Sequence, residues 1–233
     1  MKQMPLAVRL RDRAVFESFY PGANAESLAH LQAAARAARR SVSWLFGPQA
    51  SGKTHLLQAL CAQAGASAAY LPLAELAPLG PEALEGWQAS TWLCLDDIDA
   101  VVGQLPWERA LFNLYREAEE RGASVLVAAQ VPPLALAFAL PDLGSRFSAA
   151  NQLPLKRLAE EEQRSALRLR AQMRGLELPE EAALYLQRRF PRDMDSLYGL
   201  LDTLDEAALE AGRRLTVPFI RDVLAQPPAS GQS

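Results

Sequence analysis

Apolar positions come in short compact runs up to residue 158 and in helical spacing beyond it. SVSWLFG (41–47), SAAYLPL (67–73), STWLCLDDI (90–98) and SVLVAAQ (124–130) are four such runs, and NQLPLKRL (151–158) is a shorter, less regular fifth. Runs of this length that are apolar on both faces predict strands covered on both sides, as in a parallel sheet. Between them THLLQALCAQAG (54–65) and WERALFNLYREAEERG (107–122) carry the helical period and stop at a glycine. This alternation predicts βαβ crossovers and a five-stranded parallel sheet flanked by helices.

After residue 158 the strand pattern ends. AEEEQRSALRLRAQMRG (159–175), LPEEAALYLQRRF (178–190), DMDSLYGLLDTLDEAALEAG (193–212) and VPFIRDVLAQ (217–226) all have helical spacing. Pro179 and Pro218 are placed where a first helical turn tolerates proline, and Glu180 and Glu181 suit its positive end. The expected organisation is a peptide and linker at 1–13, an α/β domain at 14–158, a small all-helical domain at 159–226 and a linker-like tail, PPASGQS, at 227–233.

Composition narrows the class. With half of its 233 residues hydrophobic, 22% charged and a net charge of −3, the chain reads as a globule rather than a phosphate-gripping DNA binder. Contact with DNA is therefore expected to be local or through a partner. Cys61 and Cys94, both in apolar runs, read as reduced core residues of a cytoplasmic protein. VLVAAQVPPLALAFAL is broken by Gln130, Pro132 and Pro133, so no membrane span is expected. With three Lys beside 21 Arg, a lone arginine says little.

The chemistry concentrates in two motifs. GPQASGKT (47–54) satisfies G-x-x-x-x-G-K-[ST] between a strand and a helix. Gly47, Pro48, Gln49, Ala50, Ser51 and Gly52 would wrap backbone N–H groups around a phosphate chain. Lys53 would reach the β- and γ-phosphates, and the Thr54 hydroxyl would ligate Mg²⁺. His55 follows directly and falls near the site by position alone; it has no metal-ligand spacing, and neither has His30. In WLCLDDID (92–99), Asp96 ends an apolar strand where Mg²⁺ needs a carboxylate, and Asp97 can polarise an attacking water. Hydrolytic relatives usually carry the longer Glu there, so Asp97 reads as a slower base. Asp99 reads as a loop or cap residue. Gln130, at the tip of the fourth strand, either senses a γ-phosphate or faces water. Arg146, in PDLGSRFSAANQLPL (141–155), occupies the place from which an oligomeric phosphate-loop ATPase offers an arginine finger to a neighbour's nucleotide, which leaves a homo-oligomer open.

GPQASGKTHLL, LDDI, the SRF segment and RGLELPEEAALYLQRRF together resemble the DnaA-related AAA+ ATPases. FESFYPGANAESLAHL and RRLTVPFIRDVL extend the resemblance, over nearly the whole chain, to the Hda group of regulatory inactivators. The resemblance implies an AAA+ phosphate-loop fold with a helical lid, ADP or ATP with Mg²⁺ as ligand, and a negative regulator of replication initiation. Such a protein docks on the DNA polymerase III sliding clamp and drives hydrolysis of DnaA-bound ATP, with Arg146 acting in trans. No helix-turn-helix segment follows the lid, which points to a regulator rather than an initiator. A helicase loader or other DNA-associated AAA+ motor is the alternative, and would want a helicase-binding extension and a basic patch. For the chain's own site, the residues are compatible with weak turnover or with ADP held as a structural ligand.

By the same resemblance Phe19, Tyr20 and Pro21 lie where the family's N-terminal segment passes the adenine, although they suit core packing equally well. The family's lid arginine is replaced by Asp195; Arg192, three residues earlier, either substitutes for it or the lid contact is absent. The family's clamp-docking peptides pair Gln with two apolar anchors, and Gln3, Met4, Pro5 and Leu6 match the short form Q-L-P-L with Met in place of Leu.

Overall fold

A computed structural model describes residues 14–37, 39–87, 89–190, 194–211 and 214–225. The chain divides into two compact units between Arg157 and Leu158. In the first, the helix α1 (Ala25–Arg36) precedes the strand β1 (Val42–Phe46), the helix α2 (Lys53–Ala64), the strand β2 (Ala68–Pro72) and a short α3 (Leu73–Leu76). Then follow β3 (Trp92–Asp96), α4 (Leu105–Glu120), β4 (Ser124–Ala129), α5 (Pro141–Ser148) and β5 (Asn151–Pro154).

The five strands form one parallel sheet in the order β2-β3-β4-β1-β5, with Trp44 opposite Val127 and Leu93 opposite Val125. Successive residues face opposite sides of a strand, and the two sides build two cores. Trp44, Val125, Val127 and Ala129 pack with Trp107, Leu111, Tyr115, Leu143 and Phe147 of α4 and α5. Leu45, Leu126 and Ala128 pack on the other side with Leu31 of α1 and Leu56, Leu57 and Leu60 of α2. Each fully buried leucine contributes roughly 1.5–3 kcal/mol. The expected parallel sheet is present. Its fifth strand stops at Pro154 rather than 158, and with Leu153 alone buried it is an exposed edge strand.

Because β1 sits between β4 and β5 while β2 pairs only with β3, the carboxyl ends of β1, β3 and β4 share one rim of the sheet at a reversal of strand order. In open α/β sheets that rim is where ligands bind. The loops after these three strands carry the candidate chemistry.

The second unit consists of α6 (Glu160–Met173), α7 (Glu180–Arg189), α8 (Met194–Ala211) and α9 (Val217–Ala225). Leu167, Ala171, Leu186, Leu197, Leu201, Leu204 and Ile220 are buried in it. Glu162 accepts the Ala159 N–H at 2.8 Å and so caps α6. Pro179 is the N-cap of α7 rather than a residue of its first turn, and Arg164 joins Glu180 and Gln187 of that helix. Among the described residues no helix is long and apolar enough to cross a membrane.

Candidate functional site: a phosphate loop and its acidic rim

The loop between β1 and α2 is shaped by close backbone approaches. A Cβ on Gly47 would stand 2.3 Å from the Leu155 carbonyl oxygen, so only glycine fits where β1 gives way to the loop. Gly52 has φ +93°, a left-handed conformation that favours glycine, and a Cβ there would meet the Phe19 ring at 2.6 Å. Ala50 is also left-handed, at φ 61°. The loop's own lysine closes it: Lys53 Nζ donates to the carbonyls of Gly47 at 2.8 Å and Pro48 at 3.0 Å. Burial pushes the Lys53 ammonium below its ordinary pKa, while Asp96, Asp97 and Asp99 act against that shift. Ser51 Oγ is buried with no hydrogen-bond partner among the described residues. A buried hydroxyl costs about 1–3 kcal/mol when unpaired, and a phosphate oxygen in the loop would supply its partner. These residues fit a nucleotide's phosphate chain.

The acidic half lies across the rim. Asp96 is buried at the end of β3, its Oδ2 accepting the Tyr70 hydroxyl at 2.8 Å and its Oδ1 the Asp97 N–H at 3.0 Å. Burial raises the Asp96 carboxyl above the usual carboxylate range; the Thr54 hydroxyl, beside it, pulls the other way. Burial and the Asp96 charge likewise raise the Tyr70 phenol. Thr54 and Asp96 are thus neighbours, as a Mg²⁺ ion bridging a hydroxyl, a carboxylate and phosphate oxygens requires. Among the described residues no three His, Cys, Asp or Glu side chains form a metal cluster by themselves. Asp97 is exposed and left-handed at φ 52°, a conformation Asp tolerates better than most residues. Asp99 accepts the Gln130 N–H through Oδ2 at 2.9 Å, so it ties the β3 loop to the tip of β4 and fixes where the exposed Gln130 stands.

The Asp96 geometry yields a stability prediction. A carboxyl whose pKa is raised on folding contributes stability that is present below its unfolded pKa and lost as pH rises through the folded value. Asp96→Asn removes that penalty, and the melting temperature should rise at pH 8. The gap to wild type should narrow as pH falls toward the ordinary carboxylate range. Thermal melts across that series check both signs, and a lower melting temperature at every pH would show that the Tyr70 and Asp97 hydrogen bonds outweigh burial.

Around the loop, the structure sorts the remaining candidates. Phe19 is buried against Gly52 with its ring centroid 5.7 Å from that of His55; Tyr20 and Pro21 are half-buried. His55 Nε2 lies 3.1 Å from both Ser18 Oγ and the Val15 carbonyl. The imidazole therefore ties the N-terminal segment to α2. Asn24 makes a two-way bond with the Lys156 backbone, at 2.9 and 2.8 Å, and Ser27 donates to the Pro154 carbonyl at 2.9 Å. Arg157, not singled out by sequence, donates from Nε to the Gln49 carbonyl at 2.9 Å and brings a second cation near Lys53. Tyr70 is a second residue without a sequence signal, since nothing in its run marks a phenol aimed at a carboxylate. Arg146 is on α5, bonded to Glu119 of α4 and half-exposed. Gln3, Met4, Pro5, Leu6 and Arg192 lie outside the described residues; Asp195 is the second residue of α8.

Comparison with known proteins gives two findings. Residues 160–224 match the family described as "Hda, lid domain". Among solved structures, the chain is similar to domain III of the replication initiation protein DnaA from Thermotoga maritima. The identity is 22%, the match covers 91% of this chain and 95% of that one, and the TM-score is 0.70. It is similar to AMPPCP-bound DnaA from Aquifex aeolicus at 19% identity, covering 87% and 68% of the two chains with a TM-score of 0.66. A RuvB variant from Thermotoga maritima follows the same fold at 16% identity, 87% and 67% coverage and a TM-score of 0.60.

Proposed function

From an Hda-family lid domain joined to the AAA+ fold of DnaA domain III, we propose that this chain is a nucleotide-binding negative regulator of replication initiation that stimulates hydrolysis of DnaA-bound ATP. The observation that carries the reading is the lid: residues 160–224 match the Hda family, and they follow an α/β unit with a complete phosphate loop. ADP or ATP would lie along Gly47–Thr54, with Lys53 and the Ser51 hydroxyl on phosphate oxygens and the Thr54–Asp96 pair toward Mg²⁺. The buried hydroxyl of Ser51 and the solved DnaA bound to AMPPCP support an adenine nucleotide there. Arg146 would supply the charge that stabilises the transferring phosphoryl group of DnaA's nucleotide. Gln3, Met4, Pro5 and Leu6 would dock on the sliding clamp and bring the protein to DNA without a DNA-binding surface of its own, in keeping with the net charge of −3.

The test uses purified DnaA loaded with radiolabelled ATP and clamp loaded on nicked DNA. Adding this protein should accelerate ADP formation in a clamp-dependent way; no acceleration at any protein concentration would sink the reading. The docking peptide is tested separately. Gln3→Ala with Leu6→Ala should abolish retention on immobilised clamp, with nucleotide affinity unchanged within about twofold, because Met4 and Pro5 alone offer one anchor in place of two. Undiminished retention would remove the peptide's role.

A further inference from the structure

Phe112, Tyr115 and Glu119 recur at helical spacing along one stripe of α4. Arg146 of α5 lies over that stripe. Its guanidinium carbon is 5.2 Å from the Phe112 ring centroid and 5.3 Å from that of Tyr115, and its Nη1 donates to Glu119 Oε2. The other carboxylate oxygen takes Arg40 Nη1 at 3.2 Å, and Arg40 also lies over the Tyr115 ring, at 5.4 Å. One carboxylate and one ring thus hold two guanidinium groups. An isolated exposed ion pair would define little. Here the Arg146 guanidinium carbon lies over two rings while Nη1 is tied to Glu119, and Glu119 is fixed from its other side by Arg40.

We propose that Glu119 is a positioning residue for Arg146: it holds the guanidinium in one orientation for insertion into the partner ATPase's nucleotide site. The proposal rests on the function given above. A guanidinium has five donors in a rigid fork, and one carboxylate oxygen on Nη1 leaves most of that fork to meet phosphate oxygens. Arginine otherwise carries large rotamer freedom that docking must remove. Glu119 removes it in advance, and small misplacements of a catalytic group lower rates steeply.

The experiment measures ADP formation from ATP-loaded DnaA against concentration of wild type, Glu119→Gln, Arg146→Ala and the double variant. Glu119→Gln should lower the maximal stimulated rate about tenfold with the half-saturating concentration and the variant's own nucleotide affinity within about twofold of wild type. The double variant should match Arg146→Ala, because a positioning residue has nothing to act on once the arginine is gone. A further fall in the double variant would show that Glu119 only supports the fold, and a rate equal to wild type would show that Arg146 needs no holding. A rate above wild type would mark Glu119 as a restraint on Arg146. Each of these three overturns the proposal while leaving the function standing; failure of the wild type to stimulate at all overturns both.

Discussion

Arg146→Ala is expected to reduce stimulated hydrolysis of DnaA-bound ATP by about 10³-fold or more, the range an arginine finger supplies, while the chain's own nucleotide affinity stays within about twofold. The two halves of that result come from the fold. Leu143 and Phe147 seat α5 in the core with Trp44, whereas Leu56, Leu57 and Leu60 seat α2, with the phosphate loop at its head, in the core on the opposite sheet face. Arg146 points outward between Leu143 and Phe147, with its side chain 35% exposed. The side chains that hold it, Glu119, Phe112 and Tyr115, all belong to α4 and none to the loop. The arginine's loss is thus not expected to reach the chain's own phosphate loop. The same loss should shift the melting temperature by no more than about 4 °C, the effect of roughly 1 kcal/mol from a partly exposed ion pair lying over two rings. Arg146→Lys keeps the charge but not the planar fork and should recover only a small part of the rate. ADP formation from ATP-loaded DnaA followed over time checks the two rates and a thermal melt checks the stability, and undiminished stimulation by Arg146→Ala would remove the in-trans role.

What could be read from the sequence follows from how local each constraint is. The phosphate loop is contiguous, and its fixed motif is readable without knowing that Leu155 and Phe19 are what exclude a Cβ at Gly47 and Gly52. Asp96 was legible because a carboxylate that ends an apolar strand beside such a loop is the anionic contact a bound Mg²⁺ requires. Arg157 lies 108 residues from the Gln49 carbonyl it grips, and Tyr70 lies 26 residues from Asp96. Those pairings exist only because the parallel sheet brings distant loops to one rim, and no spacing announces them. His55 directly follows the loop, but one residue along a helix turns a side chain by about 100°, and no spacing announces its bonds to Val15 and Ser18. The helix α1 went unread because AESLAHLQAAAR is alanine-rich with a faint period, and what fixes it is the Asn24 and Ser27 clamp onto the end of β5. Arg146 was legible as a position, but the stripe of Phe112, Tyr115 and Glu119 that holds it was not.

Glu108→Ala should destabilise the first unit by about 3–6 kcal/mol, the largest stability loss expected of a single side chain away from the loop. Glu108 is fully buried in the first turn of α4, and its carboxylate accepts three backbone N–H groups. Gly103 donates at 2.6 Å and Ala139 at 3.1 Å to Oε1, and Leu140 donates at 2.6 Å to Oε2. The position near the helix N-terminus favours the negative charge, and the three donors satisfy it without a cation. Alanine would leave those donors without the carboxylate, in the lower half of about 1–3 kcal/mol each because Gly103 and Ala139 are exposed and water can reach them. Glu108→Gln should fall between, since an amide oxygen can keep the Gly103 and Ala139 bonds while its NH₂ opposes the Leu140 N–H. Leu140 is also the N-cap of α5, so the same substitution loosens the helix that carries Arg146. Chemical unfolding of the three proteins gives the order wild type, Gln, Ala. In Glu108→Gln, stimulated hydrolysis should drop at temperatures where the protein remains folded and nucleotide affinity is retained. An alanine variant within about 1 kcal/mol of wild type would mean that the 136–140 segment finds other acceptors and does not depend on α4 for its course into α5.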